Sequence, residues 1–213
     1  MATTKGGAAT ARKKSAGSGA GTGSTRRAQL LAIAAEMFAS RGYTQTTVRD
    51  IADEAGILSG SLYHHFASKD EMLTEILQEF MGSLLGQFRS IAEEAETPRA
   101  ALDGLVRSSF ETIHRTPHAV ALYQNEANFL GSTPEFAFVT KASREVEKVW
   151  LDVLRAGIAS GDFRAELEPT TTYRFIRDGV WSTVRWYDPR GRLQHGTLAD
   201  QYLAILDGGL LTS

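Results

Sequence analysis

The sequence predicts an all-α protein in which an N-terminal helix-turn-helix unit precedes a larger helical domain. Apolar residues recur at helical spacing along most of the 213 residues, and no stretch alternates convincingly with a period of two. Glycines and prolines separate the predicted helices. With 42% hydrophobic and 23% charged residues, a chain of this length can bury a sizeable core in one or two small domains.

Residues 1–23 predict a disordered basic arm, because their Gly, Ala, Ser and Thr offer too little apolar surface to offset the entropy of ordering. Residues 1–27 contain six basic residues and no acidic one, so the remainder of a chain of net charge −2 carries −8. A basic segment on an acidic body favours an anionic partner such as nucleic acid. A solubilising tail would have the same composition.

Composition also excludes several classes of protein. The chain has no cysteine, which excludes disulfides, thiolate metal sites and cysteine nucleophiles. No apolar run approaches the roughly 18 residues that span a bilayer, and no secretory signal is evident at the N-terminus. We therefore expect a cytoplasmic protein that does not insert into a membrane.

Residues 24–70 contain the signals of four helix starts and predict the helix-turn-helix domain. Ser24 or Thr25 caps a first helix, "RRAQLLAIAAEMFASRG", and Thr46 or Thr47 caps a second, "TTVRDIADEAG". Ser59 is the expected cap of a short third helix. The fourth helix begins after a capping box in which Ser68 is the cap and Glu71 lies three positions later.

The third helix, "GSLYHHF", places two adjacent histidines on its outer side. Leu62 and Phe66 are four residues apart and predict one buried face, which turns Tyr63 and His64 outward and leaves His65 near the edge. Adjacent side chains diverge by about 100° around a helix, so this pair is a poor metal site. We predict no metal site, no catalytic residue and no cofactor.

Another interpretation is a helical enzyme that acts on acyl thioesters with His64 or His118 as the base. No Ser or Asp is placed to complete a triad, and the chain has no glycine-rich phosphate loop. Both observations argue against an enzyme.

Residues 34–73, "AAEMFASRGYTQTTVRDIADEAGILSGSLYHHFASKDEML", resemble the DNA-binding domain of the TetR family of transcriptional repressors. The resemblance implies a homodimer that binds a palindromic operator in double-stranded DNA, with residues 71–213 forming a ligand-binding and dimerisation domain. Many relatives have Ser-Lys or Ser-Arg where this chain has Leu58-Ser59, so one common phosphate-contacting cation is missing. The implied DNA-binding residues are Thr47, Arg49, Ser59, Gly60, Ser61, Tyr63, His64, His65 and Lys69.

Beyond residue 70 the pattern predicts helices near 69–95, 99–115, 118–130, 135–160, 169–187 and 196–210. In the helix "TTTYRFIRDGVWSTVRWYDP", Arg177, Trp181 and Arg185 recur every four residues. An arginine beside a tryptophan suits a ligand with a bulky apolar body and a carbonyl, carboxylate or phosphate, and Tyr123 is a further lining candidate. Alternatively, Arg177 pairs with an acid such as Asp178 of the partner subunit, and Trp181 is part of the core.

The same helix, together with residues 46–72 and "QYLAIL", resembles an actinobacterial branch of the family that represses late cholesterol catabolism, the degradation of the C and D rings. That resemblance implies a small-molecule inducer, a coenzyme A thioester of a bicyclic indanedione propionate, with Arg177 and Trp181 as its main contacts. The alternative is a TetR-type repressor of another regulon, induced by a hydrophobic drug or a fatty acyl thioester.

Overall fold

The protein is all-α in the computed structural model, which describes residues 19–210, with side chains from 24 to 208. No strand occurs in that part of the chain, and none of its helices is long and apolar enough to cross a membrane. Two 3-10 turns lie at Pro134–Phe136 and Ser182–Arg185. The helices are α1 (Gly19–Arg41), α2 (Val48–Glu54), α3 (Ser59–Leu62), α4 (Lys69–Glu94), α5 (Pro98–Arg115), α6 (Pro117–Asn125), α7 (Ala127–Ser132), α8 (Ala137–Ser160), α9 (Pro169–Trp181) and α10 (His195–Leu210).

The predicted all-α class is confirmed, but the first helix starts earlier than expected. It begins at Gly19 and runs through Ser24 and Thr25, the two predicted caps. Residues 19–23 contain no proline, so no residue there prevents the helix from extending. Helix α1 thus extends into the predicted arm at residues 19–23, residues 1–18 lie outside the described residues, and the disorder of the arm stays a prediction.

Two further helix predictions need correction. The helix expected over 118–130 is divided at Glu126, whose backbone leaves the helical region (φ −99°, ψ 12°) while its carboxylate accepts a 2.9 Å hydrogen bond from the Tyr43 amide. The helix expected over 169–187 ends at Trp181. There the Thr183 hydroxyl donates a 2.6 Å bond to the Val180 carbonyl, and the chain tightens into a 3-10 turn.

Two hydrophobic clusters form the interior, and α4 runs through both. Its N-terminal half contributes Leu73 and Leu77 to a cluster that holds α1, α2 and α3 together with α6 and α7. Its C-terminal half contributes Leu84 and Phe88 to the cluster formed with α5, α8, α9 and α10. The N-terminal helices and the C-terminal helices are thus joined by one continuous helix.

Candidate nucleic-acid interface and ligand site

Helix α2 begins with a capping box at Thr47, one of the two residues that the sequence predicts as its cap. The Thr47 hydroxyl accepts a 3.1 Å bond from the Asp50 amide, and the Asp50 carboxylate accepts a 2.8 Å bond from the Thr47 amide. The Thr47 hydroxyl also donates to that carboxylate, and this bond is the main cause of the lowered pKa of Asp50. Thr47 remains exposed, so it can still contact DNA while it fixes the start of α2.

Helix α3 has four residues, and its cap differs from the prediction. Leu58 is the N-cap and makes no side-chain cap bond, whereas Ser59 is already the first helical residue. The Leu58 carbonyl accepts a 2.8 Å bond from the Ser61 amide, which starts the helix from the backbone alone. The predicted burial of Leu62 and Phe66 is confirmed, and Phe66 lies in the turn that follows the helix.

The outer side of α3 and of the next turn is open to solvent. Tyr63 is 56% exposed, His64 is exposed, and a Cβ added at Gly60 would meet nothing within 4 Å. We call this set the reading surface: Ser59, Gly60, Ser61, Tyr63 and His64. Small side chains here allow a close approach to base edges, and the tyrosine and histidine can reach phosphates.

Arg49 on α2 projects into solvent beside the reading surface. Its side chain is 83% exposed and lies 3.8 Å from the Asp53 carboxylate, one helical turn away. An ion pair this exposed contributes little to stability, so the guanidinium is available to a phosphate.

His65 and Lys69 were predicted with the DNA-binding residues, and each already contacts protein. His65 is half-buried, with its ring against Phe66 and its carbonyl bonded to the Arg27 guanidinium. The Lys69 ammonium donates to the Tyr43 and Thr46 carbonyls at 2.8 and 2.9 Å. Lys69 therefore ties the start of α4 to the α1–α2 loop, and its role toward DNA stays a prediction.

Arg27 is an important residue that the sequence reasoning missed, because it was counted among the charges of the N-terminal arm. Its Nε donates to Glu75 at 3.1 Å and one terminal nitrogen to Glu71 at 3.2 Å. The guanidinium also lies 4.0 Å from the centroid of the Phe66 ring. The hydrogen bond to Glu75 is the main cause of its raised pKa. Arg27 thus joins α1, the α3–α4 turn and α4, and no local pattern indicates partners so distant in sequence.

Arg177 lies beside two tyrosines on the C-terminal domain. Its Nε donates a 2.8 Å bond to Asp178 of the same chain, and its guanidinium lies 5.7 Å from the Tyr173 ring centroid. The bond to Asp178 is the main cause of its raised pKa, to which Tyr173 and Tyr123 also contribute. The Tyr123 hydroxyl is 2.8 Å from the Ser143 hydroxyl on α8. The structure therefore brings Tyr123, Tyr173 and Arg177 together.

The other two predicted ligand residues are placed differently. Trp181, one turn after Arg177, is buried in the C-terminal cluster. Arg185 is exposed on the 3-10 turn, because α9 ends before the four-residue spacing reaches it. The four-residue spacing of Arg177, Trp181 and Arg185 thus stays helical only as far as Trp181, and ligand contact by these residues stays a prediction.

A cleft of about 600 Å³ opens elsewhere, between α1, α4 and the α5–α6 junction. Its walls include apolar residues such as Leu31, Ile76 and Phe80, and its rim carries charges such as Glu79 and Arg115. None of the four predicted ligand residues lines this cleft. It was not predicted, because three separate segments of the chain form it.

The end of the molecule formed by α9 and α10 exposes large apolar side chains. Phe175 on α9 is 77% exposed, Trp186 after the 3-10 turn is 60% exposed, and Ile205 on α10 is 74% exposed. We call these three residues the apolar end surface. Phe175 and Ile205 stand on two helices that are neighbours through the buried core, since the Tyr202 hydroxyl of α10 donates a 3.0 Å bond to the Ile176 carbonyl of α9.

The fold and the reading surface define a regulator of transcription, and two family models agree. Residues 30–76 match the bacterial regulatory proteins of the tetR family, and residues 95–210 match the tetracyclin repressor-like C-terminal domain. The chain belongs to the TetR family of transcriptional regulators. Its relatives are regulators and not enzymes, which confirms that it is not an enzyme.

Within this family the chain is similar to the KstR2 repressors. It is 49% identical to the transcriptional repressor KstR2 of Mycolicibacterium smegmatis over 189 residues, which cover 89% of this chain and 92% of the relative. The structure of the ketosteroid transcriptional regulator KstR2 of Mycobacterium tuberculosis superposes with a TM-score of 0.86 at 48% identity, covering 88% of this chain and 96% of that one.

A more distant neighbour, AibR, was solved with isovaleryl coenzyme A and operator DNA. It superposes with a TM-score of 0.74 at 22% identity and covers 84% of this chain and 97% of its own. At this identity the likeness supports the fold alone.

Proposed function

We propose that the protein is a homodimeric repressor that occupies a palindromic operator and controls genes of sterol catabolism. In this proposal a coenzyme A thioester of a steroid-ring degradation intermediate releases it from DNA. The observation that carries the proposal is the 49% identity to the KstR2 repressor, which spans nearly all of both chains. The Mycobacterium tuberculosis relative is described as a ketosteroid regulator, and this supports the sterol regulon.

The apolar end surface supports the homodimer. Phe175, Trp186 and Ile205 leave large apolar areas in water, and a second copy of the chain would cover them. In a dimer with a two-fold axis through this surface, each subunit presents one reading surface. Two such surfaces bind an operator when they are about 34–36 Å apart, one turn of DNA.

The surroundings of Arg177 support the inducer class. A guanidinium suits a carboxylate, carbonyl or phosphate, while the rings of Tyr173 and Tyr123 beside it suit an apolar ring system. Rearranging the Asp178 ion pair would free the guanidinium for the ligand, since the pair is partly exposed. The AibR complex indicates that a coenzyme A thioester and operator DNA both bind a protein of this fold.

Release follows if the inducer binds more tightly to a state whose reading surfaces have the wrong spacing. The shift in the equilibrium equals the difference between the inducer affinities of the two states. Helix α4 is suited to couple inducer binding to the position of the reading surface. Its two halves pack into the N-terminal cluster and the C-terminal cluster.

The test is a fluorescence-anisotropy titration with DNA from upstream of the protein's own gene, with and without the indanedione propionate thioester. We expect release by micromolar thioester and not by free coenzyme A or palmitoyl-coenzyme A. Tight binding that no thioester disturbs would contradict the sterol assignment. Release by a fatty acyl thioester or a hydrophobic drug alone would assign the protein to another regulon.

Two matched variants locate the inducer site. Arg177→Gln should raise the thioester concentration needed for release roughly tenfold. A factor of about this size corresponds to the loss of one charge-assisted hydrogen bond. Arg115→Gln, on the rim of the 600 Å³ cleft, should leave it unchanged. The opposite result would place the inducer in the cleft.

A further inference from the structure

Leu58 is the most exposed large apolar side chain in the part of the chain whose side chains are described. It is 80% exposed and lies at the N-terminal tip of α3. Phe175, Trp186 and Ile205 belong to the apolar end surface, for which a second subunit offers cover. Leu58 lies instead in the N-terminal helix-turn-helix unit, at the start of α3.

Leu58 occupies a helix-start position at which leucine is one of the least favoured residues. A capping side chain accepts amide hydrogen bonds at the starts of α2, α4, α5 and α9, whereas the caps of α3, α6, α7 and α8 accept none. At α3 the cap is a leucine that accepts none, so the stabilisation of a polar cap is given up. An exposed leucine at a position that disfavours it, with no gain in packing, points to a function.

The neighbours of Leu58 indicate what it meets. It directly precedes Ser59 and Gly60 on the reading surface, and the first residues of a recognition helix face base edges in the major groove. Leu58, Ser59, Gly60 and Ser61 are all uncharged. The apolar group that base pairs present in the major groove is the C5-methyl group of thymine.

We propose that Leu58 packs against the C5-methyl group of one thymine in each operator half-site and thereby determines specificity at that base pair. This inference rests on the proposed docking of α3 in the major groove. Position 58, at which many relatives have a serine, would thus discriminate between base pairs in this chain.

The experiment removes the methyl group from the DNA and the side chain from the protein. Each thymine of the upstream operator is replaced by deoxyuridine, symmetrically in both half-sites, and affinity is measured by anisotropy. At one thymine we expect the affinity of the wild type to fall about fourfold per half-site, or roughly sixteenfold for the two half-sites together. Leu58→Ala should bind the thymine operator with a similar loss and should not respond to deoxyuridine at that position.

Two control variants separate this contact from a structural role. Leu58→Ser restores a capping side chain, so it should keep or raise the melting temperature and still lose the response to deoxyuridine. Leu193→Ala, at another exposed leucine, should behave as wild type.

The outcomes distinguish this inference from the proposed function. A wild-type protein that binds the operator but responds to deoxyuridine at no thymine overturns the inference, and so does a Leu58→Ala variant that responds as wild type does. A wild-type protein that binds no such DNA overturns the proposed function instead.

Discussion

The two ends of the molecule expose surfaces of opposite character. The reading surface presents small and polar side chains, and Gly60 leaves open space in front of the backbone. The apolar end surface presents Phe175, Trp186 and Ile205. A hydrated, charged polymer fits the first surface and a second protein subunit fits the second. Repression in this proposal needs both, because only a dimer presents two reading surfaces to one operator.

The largest expected effect comes from a charge on the apolar end surface. Phe175→Asp should convert the proposed dimer into a monomer, which should stay folded because position 175 is 77% exposed in the single chain. Operator affinity should fall roughly a thousandfold or more, toward nonspecific binding. Sedimentation equilibrium measures the mass and anisotropy the affinity.

Gln78→Asp is the matched control, since it adds the same charge at an exposed position of α4. It should remain dimeric. A Phe175→Asp protein that stays dimeric would show that the subunits meet elsewhere.

The second effect concerns the support behind the reading surface. Arg27→Gln leaves Glu71 and Glu75 without their cation and frees the α3–α4 turn, so we expect a loss of about 2 kcal/mol in the free energy of unfolding. Operator affinity should fall roughly tenfold because the reading surface loses its fixed position. Urea denaturation and anisotropy measure the two effects.

Arg26→Gln is the control for this comparison. The Arg26 guanidinium contacts only the Gln29 side chain and the Ala55 carbonyl among the bonds described for it, so its removal should cost much less. Equal losses of stability and operator affinity for the two variants would mean that both effects come from the positive charge and not from the contacts of Arg27.

A smaller effect on operator affinity is expected from Arg49, whose exposed guanidinium is available to a DNA phosphate. Arg49→Gln should reduce the slope of log affinity against log salt by about one for each subunit and weaken all operator sequences alike. The change in fold stability should be negligible, because Arg49 is 83% exposed. Arg99→Gln, whose partner is Asp207 on α10, is the control and should leave the slope unchanged.

The smallest effect depends on pH and concerns the start of α9, which bears Phe175. Glu168 accepts bonds from the Thr170 and Thr171 amides, which lower its pKa to about 2. The stabilisation is therefore complete above the ordinary pKa of 4.5 and is lost as pH falls from there toward 2.

Glu168→Gln should thus lower the urea midpoint at pH 7, and the difference from wild type should shrink below pH 4.5. A difference that is the same at pH 7 and pH 3.5 would contradict this role for the carboxylate.

Features that depend on a few neighbouring residues were predicted well. The cap at Ser68, the cap at one of Thr46 and Thr47, and the burial of Leu62 and Phe66 are all set within five residues of sequence. The cap of α3 was wrong because the pattern favours the serine, whereas the backbone turn places Leu58 there.

Features that depend on distant packing were not predicted. Arg27 has partners in the α3–α4 turn and in α4, and the break at Glu126 follows from a bond to the Tyr43 amide. The cleft of about 600 Å³ is lined by three segments that the sequence does not relate. For the ligand site, periodicity placed Arg177 and Trp181 on one helix but could not show that α9 ends before Arg185.

The central claim is that an inducer changes the spacing of two reading surfaces, and a distance between them tests it most directly. The chain has no cysteine, so Gln45→Cys in the exposed α1–α2 loop gives one spin-labelling site per subunit. Pulsed electron paramagnetic resonance then measures one distance across the dimer. We predict one distribution when the protein is bound to operator and another, displaced by several ångströms, when the thioester is bound. Identical distributions in the two states would contradict the account.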